Sequence, residues 1–131
     1  MFEQDYIMRL IHQVIRTLLK LLFNIDTEKE EELFLTINET KEKFYELLDL
    51  VDKGQINEAE NKLLEELNPK EIQYYKKALM FYAYLNEMDN DFLMEHNYSK
   101  REITEGIQYV SEIYGYGSMV NALFSIITEK E

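Results

Sequence analysis

The first 26 residues constrain this chain more than any other stretch. In MFEQDYIMRLIHQVIRTLLKLLFNID, the residues Ile7, Leu10, Ile11, Val14, Ile15, Leu18, Leu21 and Leu22 recur at the helical period and share one side. Arg9, Gln13, Arg16, Thr17 and Lys20 gather on the other side. The apolar side takes about half of the circumference, wider than an ordinary surface stripe. Glu3 and Asp5 near the start and Lys20 near the end suit the helix dipole. Such a face has to be covered by the rest of the chain, by a second subunit or by a lipid surface.

The remaining sequence reads as more helices separated by short caps. Asn24–Thr27 is a turn, with Asp26 or Thr27 as N-cap, and Glu28, Glu30, Glu31 and Glu32 load the next first turns with negative charge. Leu33, Ile37, Phe44, Leu47, Leu48 and Val51 form the apolar face of that second helix, weakened at Thr36, Asn38 and Thr40 and ended by Gly54. Gln55–Leu67 carries the stripe Ile56, Ala59, Leu63, Leu64 and Leu67, with Glu58, Glu60, Lys62, Glu65 and Glu66 outside.

Asn68-Pro69-Lys70-Glu71 has the form of an N-cap, a first-turn proline and a capping-box Glu. The helix it opens runs to about Glu87 and is apolar on most sides through Ile72, Tyr75, Ala78, Leu79, Phe81, Tyr82 and Leu85. A helix of that kind is buried between neighbours. Asp89–His96 is a short helix or turn anchored by Phe92 and Leu93. Ser99-Lys100-Arg101-Glu102 is a second capping box, opening a helix with Ile103, Ile107, Val110, Ile113 and Tyr114 inward and stopping at Gly115. Ser118 caps a last helix whose apolar residues are Met119, Val120, Leu123, Phe124, Ile126 and Ile127. The expected fold is therefore all-α, an antiparallel array of about six to seven helices in one domain spanning 1–131.

Charge and composition exclude several function classes. The chain carries a net charge of −12, and because residues 1–24 hold three basic and two acidic side chains, −13 falls on residues 25–131. That field repels phosphate backbones and argues against nucleic-acid binding. Four Gly and one Pro leave little room for a flexible linker. The lack of cysteine removes disulfides, thiol catalysis and thiolate metal sites, and fits a cytoplasmic protein. The start has acids at Glu3 and Asp5 and no basic leader, so no secretory signal is expected. Arg9, His12, Arg16 and Lys20 interrupt the first apolar stretch too often for a membrane span.

No residue set with catalytic or cofactor-binding spacing stands out. His12 lies at the rim of the first helix, and Glu95 and His96, as neighbours on a helix, point apart. There is no Glu-x-x-His or His-x-x-x-His, so a carboxylate-bridged di-metal bundle is not expected. Asp89-Asn90-Asp91 lacks the Gly and distal Glu of a calcium loop and reads as a helix cap. Neither a phosphate-binding loop nor a dinucleotide fingerprint nor a nucleophile elbow is present. No catalytic residue, metal or cofactor is assigned.

Tyrosine is unevenly placed: eight of the ten lie at or beyond Tyr74. Tyr74, Tyr84, Tyr98, Tyr109 and Tyr116 are candidates for a partner-binding surface, since a tyrosine offers an apolar body and a polar tip. Core packing is the plainer use of the same residues. Ile7, Ile11, Val14, Ile15, Leu18 and Leu22 are candidates for a self-association face, which would make a homodimer.

Two resemblances bear on these readings. Gly54-x-Ile56-x-x-Ala59-x-x-x-Leu63, followed by Pro69, resembles the turn and second helix of a tetratricopeptide repeat, in which Gly makes the turn and a small Ala lets two helices approach. The whole chain resembles an uncharacterised family of small acidic helical proteins from Gram-positive bacteria. That resemblance rests on the opening 26 residues, on GQINEAENKLLEEL and on FYAYLNEMDNDFLMEHNYSKREITEGIQY. It implies a bacterial, cytoplasmic setting and assigns no activity. The leading functional expectation is a non-enzymatic protein-interaction module. The rival is a peripheral membrane protein that lays its first helix on anionic lipid through Arg9, Arg16 and Lys20, which the acidic remainder opposes. An enzyme with an unrecognised acid–base pair is the third reading.

Overall fold

The computed structural model describes residues 2–25 and 41–130, and all regular structure among them is helical. Seven helices follow in order: α1 (Phe2–Phe23), α2 (Lys41–Asp52), α3 (Ile56–Glu65), α4 (Gln73–Asn86), α5 (Asn90–Glu95), α6 (Lys100–Ile113) and α7 (Gly117–Lys130). The expected N-cap at Asp26 or Thr27, the acidic helix start and the weak point at Thr36–Thr40 lie outside the described residues.

Three of the helices form a frame around α1. It packs against α4, α7 and α6, while α4 and α6 also pack on each other and α7 folds back on α6. Contacts near the ends set the directions. The Phe23 and Tyr75 rings meet edge-on with centroids 6.2 Å apart, whereas Asn86 Nδ2 donates to Met8 O at 2.9 Å, so α1 and α4 run antiparallel. The Tyr75 hydroxyl lies 2.7 Å from Ser111 Oγ, and Lys100 Nζ reaches the carbonyl of Asn86, so α4 and α6 are antiparallel as well. The hairpin of α2 and α3 flanks this frame, and α2 packs on α4.

The wide apolar face of α1 becomes the centre of the core. Ile11, Val14, Ile15 and Leu18 are all buried, and Ile7 and Leu22 are half-buried against the same core. The face is rotated from its expected position: Leu19 is buried, whereas Leu21 is 65% exposed. Three neighbours cover it, where one would have left part of it open. The apolar patch that a self-association face or a lipid surface would use is thus inside the chain. No described helix is long and apolar enough to cross a membrane.

Helix α4 is enclosed as its composition requires, with Tyr75, Ala78, Leu79, Met80, Phe81, Tyr82 and Leu85 buried. Its start differs from expectation. The side chain of Asn68 accepts from Lys70 N–H at 3.0 Å, and Glu71 N–H bonds to Asn68 O at 2.9 Å, so residues 68–72 close a turn and the helix begins at Gln73. The local turn competes with the capping box and wins. Ile72, expected inside, consequently stands 45% exposed. At α6 the expected N-cap does form, with Ser99 Oγ accepting from Glu102 N–H at 3.2 Å.

A tight turn joins α2 to α3. Gly54 turns the chain at φ +86°, and a Cβ there would strike the ring of His96. Ala59 and Leu63 are buried. Stacking in a row does not follow from it. In a solenoid each unit touches only its neighbours, whereas here α1 packs against α4, α6 and α7, far from it in sequence.

Candidate functional site

The described residues bring a carboxylate and several tyrosines together where α3, α4 and α6 meet. Glu60 sits between Ile56 and Leu63 at the helical spacing, so its side chain points along the apolar edge of α3 toward α4. Tyr82 of α4 donates its hydroxyl to Glu60 Oε2 at 2.7 Å, and Tyr98, just before α6, donates to the same oxygen at 3.0 Å. Both donors are neutral phenols. Tyr82 and Tyr98 are buried, and Glu60 is half-buried.

Packing makes this geometry available. Gly106 lies under the ring of Tyr82, where a Cβ would come within 2.5 Å of the phenol carbon and oxygen. A side chain at that position would force the ring out of the gap between α4 and α6. Tyr98 is held in the extended connection that leads to the Ser99 cap. Asn57, one turn before Glu60, reaches Asn97 O at 3.4 Å and keeps the start of α3 beside this connection.

The electrostatics follow from burial and like charge. Burial raises the Glu60 pKa above the ordinary carboxylate range; the two tyrosine hydrogen bonds oppose this, and the charge of Glu102 adds to it. Burial and the Glu60 charge push both Tyr82 and Tyr98 far above an ordinary phenol. Both therefore stay protonated as donors. Tyr109, 54% exposed on α6, lies near enough to Tyr82 to add to its shift. The cluster thus presents two carboxylates, Glu60 and Glu102, and one exposed ring at an acidic surface. Its chemistry suits holding a cation or donor at the outer edge of Glu60.

The other tyrosine candidates are placed differently. Tyr84 is half-buried and donates to Asp52 Oδ1 at 2.6 Å, tying α4 to the end of α2; burial first, then Asp52, pushes its pKa up to about 12. Tyr116 stacks on Tyr75 with centroids 5.8 Å apart, and Tyr114 stacks on the same ring at 4.9 Å. Tyr75 is itself shifted up to about 12, mainly by burial. Tyr74 is half-buried at the start of α4. Of the five proposed partner-binding residues, only Tyr98 and Tyr109 belong to the Glu60 cluster, and Tyr98 serves there from inside the fold.

Several buried polar groups were not apparent from sequence. Lys100 is 3% exposed and donates to the carbonyls of Asn86 and Met88, the latter at 2.8 Å, where the end of α4 leaves carbonyls without helical partners. Lys77 pairs with Glu66 at 3.0 Å. Asn86 Oδ1 is buried without a hydrogen-bond partner. His12 is exposed, and His96 shares its Nδ1 with the Phe92 carbonyl at 2.7 Å. Among the described residues no group of three or more His, Asp or Glu is arranged to hold a metal.

A family model described as a family of unknown function (DUF6483) matches residues 1–115. The chain belongs to this family. Membership in DUF6483 agrees with the expected uncharacterised family and assigns no activity. The matched span includes every residue of the Glu60 cluster and ends before α7. No curated protein and no solved structure matches the chain.

Proposed function

We propose that the chain is a non-enzymatic interaction module, and that the surface around Glu60 receives a basic side chain from a protein partner. The observation that carries this reading is the pairing of Glu60 with two neutral tyrosines beside a second carboxylate, Glu102. Oε2 is fixed by Tyr82 and Tyr98, which orients the carboxylate. Tyr109 supplies an exposed ring on which an arginine or lysine stem can lie. The net charge of −12 steers a basic partner toward the chain. The reading takes the α2–α3 hairpin as a single tetratricopeptide-like unit that presents Glu60, and takes the setting to be the bacterial cytoplasm.

Photo-crosslinking in the cells that make the protein tests this. A photoreactive phenylalanine analogue replaces Tyr109 in one variant and Ile126 in another. A protein adduct is expected from position 109, and Glu60→Gln with Glu102→Gln should abolish it. No adduct from 109, or one indifferent to both carboxylates, overturns the proposal.

A further inference from the structure

The carboxylate of Glu60 uses its two oxygens unequally. Oε2 accepts from the Tyr82 and Tyr98 hydroxyls at 2.7 and 3.0 Å, and both donors come from buried rings. Oε1 accepts no hydrogen bond from a described residue. It is not enclosed either, because the buried unpartnered side-chain oxygen among the described residues is that of Asn86. The free edge of Glu60 is thus aimed from inside the fold and open to solvent. Glu102 is open in the same way. Its backbone N–H completes the Ser99 cap, but no ion pair among the described residues involves its carboxylate or that of Glu60. Lys100, two residues before it, is turned to the carbonyls at the end of α4. Glu102, Gly106 and Tyr109 follow at i, i+4 and i+7, one line along α6. The Tyr82 hydroxyl rests on Gly106 and donates to Glu60, so the Glu60 carboxylate lies beside the middle of this line. Glu102 stands one turn before it and the exposed Tyr109 ring one turn after, each roughly 5–6 Å along the axis.

Resting on the reading of Glu60 as a docking carboxylate, we infer that the group received is an arginine guanidinium, laid along this line so that it donates to Glu60 Oε1 and Glu102 at once, and that lysine is a poor substitute. The choice follows from the shape of the site. Two carboxylates on one line need donors spread along an edge, which a planar guanidinium supplies. Its face also stacks on a phenol ring, the part that Tyr109 leaves exposed. A guanidinium is weakly hydrated and gives up water readily beside half-buried Glu60 and Glu102. An ammonium is a compact, strongly hydrated charge that answers one carboxylate and has no face to stack.

The test uses the full chain, labelled with carbon-13 and nitrogen-15 and observed by nuclear magnetic resonance. It is titrated with N-acetylarginine amide and, at matched ionic strength, with N-acetyllysine amide. The arginine compound should move the carboxyl signals of Glu60 and Glu102 and the ring signals of Tyr109, with an affinity about fivefold or more above that of the lysine compound. Glu102→Gln should bring arginine down to the lysine level, and Glu60→Gln should abolish the response at Tyr109. Both variants keep an acceptor oxygen, and an unchanged amide spectrum away from the cluster shows that they are folded. Equal affinities at these signals, or an arginine preference that survives Glu102→Gln, overturn the inference while the docking surface itself stands. No response to either compound also overturns it, and the adduct from position 109 then decides separately whether the surface receives a partner.

Discussion

Gly106 and Tyr82 share a space that admits only one side chain: a Cβ on Gly106 would stand 2.5 Å from both the hydroxyl-bearing carbon and the oxygen of Tyr82. Two effects compete in Gly106→Ala. Helix propensity favours alanine by about 1 kcal/mol. Displacing a buried, hydrogen-bonded ring costs more, about 1–3 kcal/mol from overpacking alone, and it also stretches the bond to Glu60. The expected outcome is a lower melting temperature. In the Tyr82→Leu background the ring is gone, so the same Gly106→Ala should be neutral or stabilising. Equal effects of Gly106→Ala in both backgrounds would reject the contact.

Glu60 should make stability depend on pH in a defined direction. Its folded pKa is raised, chiefly by burial, so the folded state holds the proton more tightly than the unfolded chain does. Its contribution is full below the unfolded pKa and is lost as pH rises through the folded value. The other carboxylates of the chain also titrate, so the useful quantity is wild type minus Glu60→Gln, which keeps an oxygen acceptor for Tyr82 and Tyr98. That difference should move against the wild type as pH rises from the ordinary carboxylate range toward neutrality. Denaturant titrations across this range measure it, and a flat difference would show that Glu60 is effectively solvated.

Lys100 should matter more than its neighbour of the same charge. Its ammonium serves the carbonyls of Asn86 and Met88 at the end of α4, and burial lowers its pKa against the opposing pull of Glu87 and Asp89. Lys100→Met keeps the stem and leaves these carbonyls without their donor, at a cost of about 1–3 kcal/mol. Exposed Arg101→Met should stay within about 0.5 kcal/mol of wild type. Equal effects from the two would mean that water replaces the ammonium.

The helices and most of the core were legible because burial follows the helical period closely. Leu79, Ile103, Ile107 and Val110 lie inside as their spacing requires. What failed depended on neighbours that periodicity does not encode. Leu21 and Ile126 satisfy the pattern and yet are exposed, since each lies at the edge of a face whose covering helix sits to the other side. Asn68 offered two local bonds, and the turn took precedence over the helix start. Glu60 looked like one more outward acid on α3. Its position four residues after Ile56 and three before Leu63 marks it as an interruption of the apolar stripe, and that was the available signal. Its tyrosine partners are separated from it by 22 and 38 residues and become visible only in the fold.

The last prediction separates a core role of α1 from an interface role. Ile11 is fully enclosed within one chain, and Ile15 nearly so, by helices that come from three other parts of the sequence. Ile11→Glu places a carboxylate among Val14, Leu18 and their covering neighbours, where an unpaired charge costs several kcal/mol, a large share of the roughly 5–15 kcal/mol that holds a domain. Loss of cooperative unfolding is expected at every protein concentration, since the damage lies within the chain. Leu21→Glu, further along the same helix on its exposed side, should shift stability by no more than about 0.5 kcal/mol. Circular dichroism melts at two concentrations tenfold apart read the outcome. A folded, monomeric Ile11→Glu variant would mean that this face lies at a boundary between subunits, and that α1 is not the centre of the core.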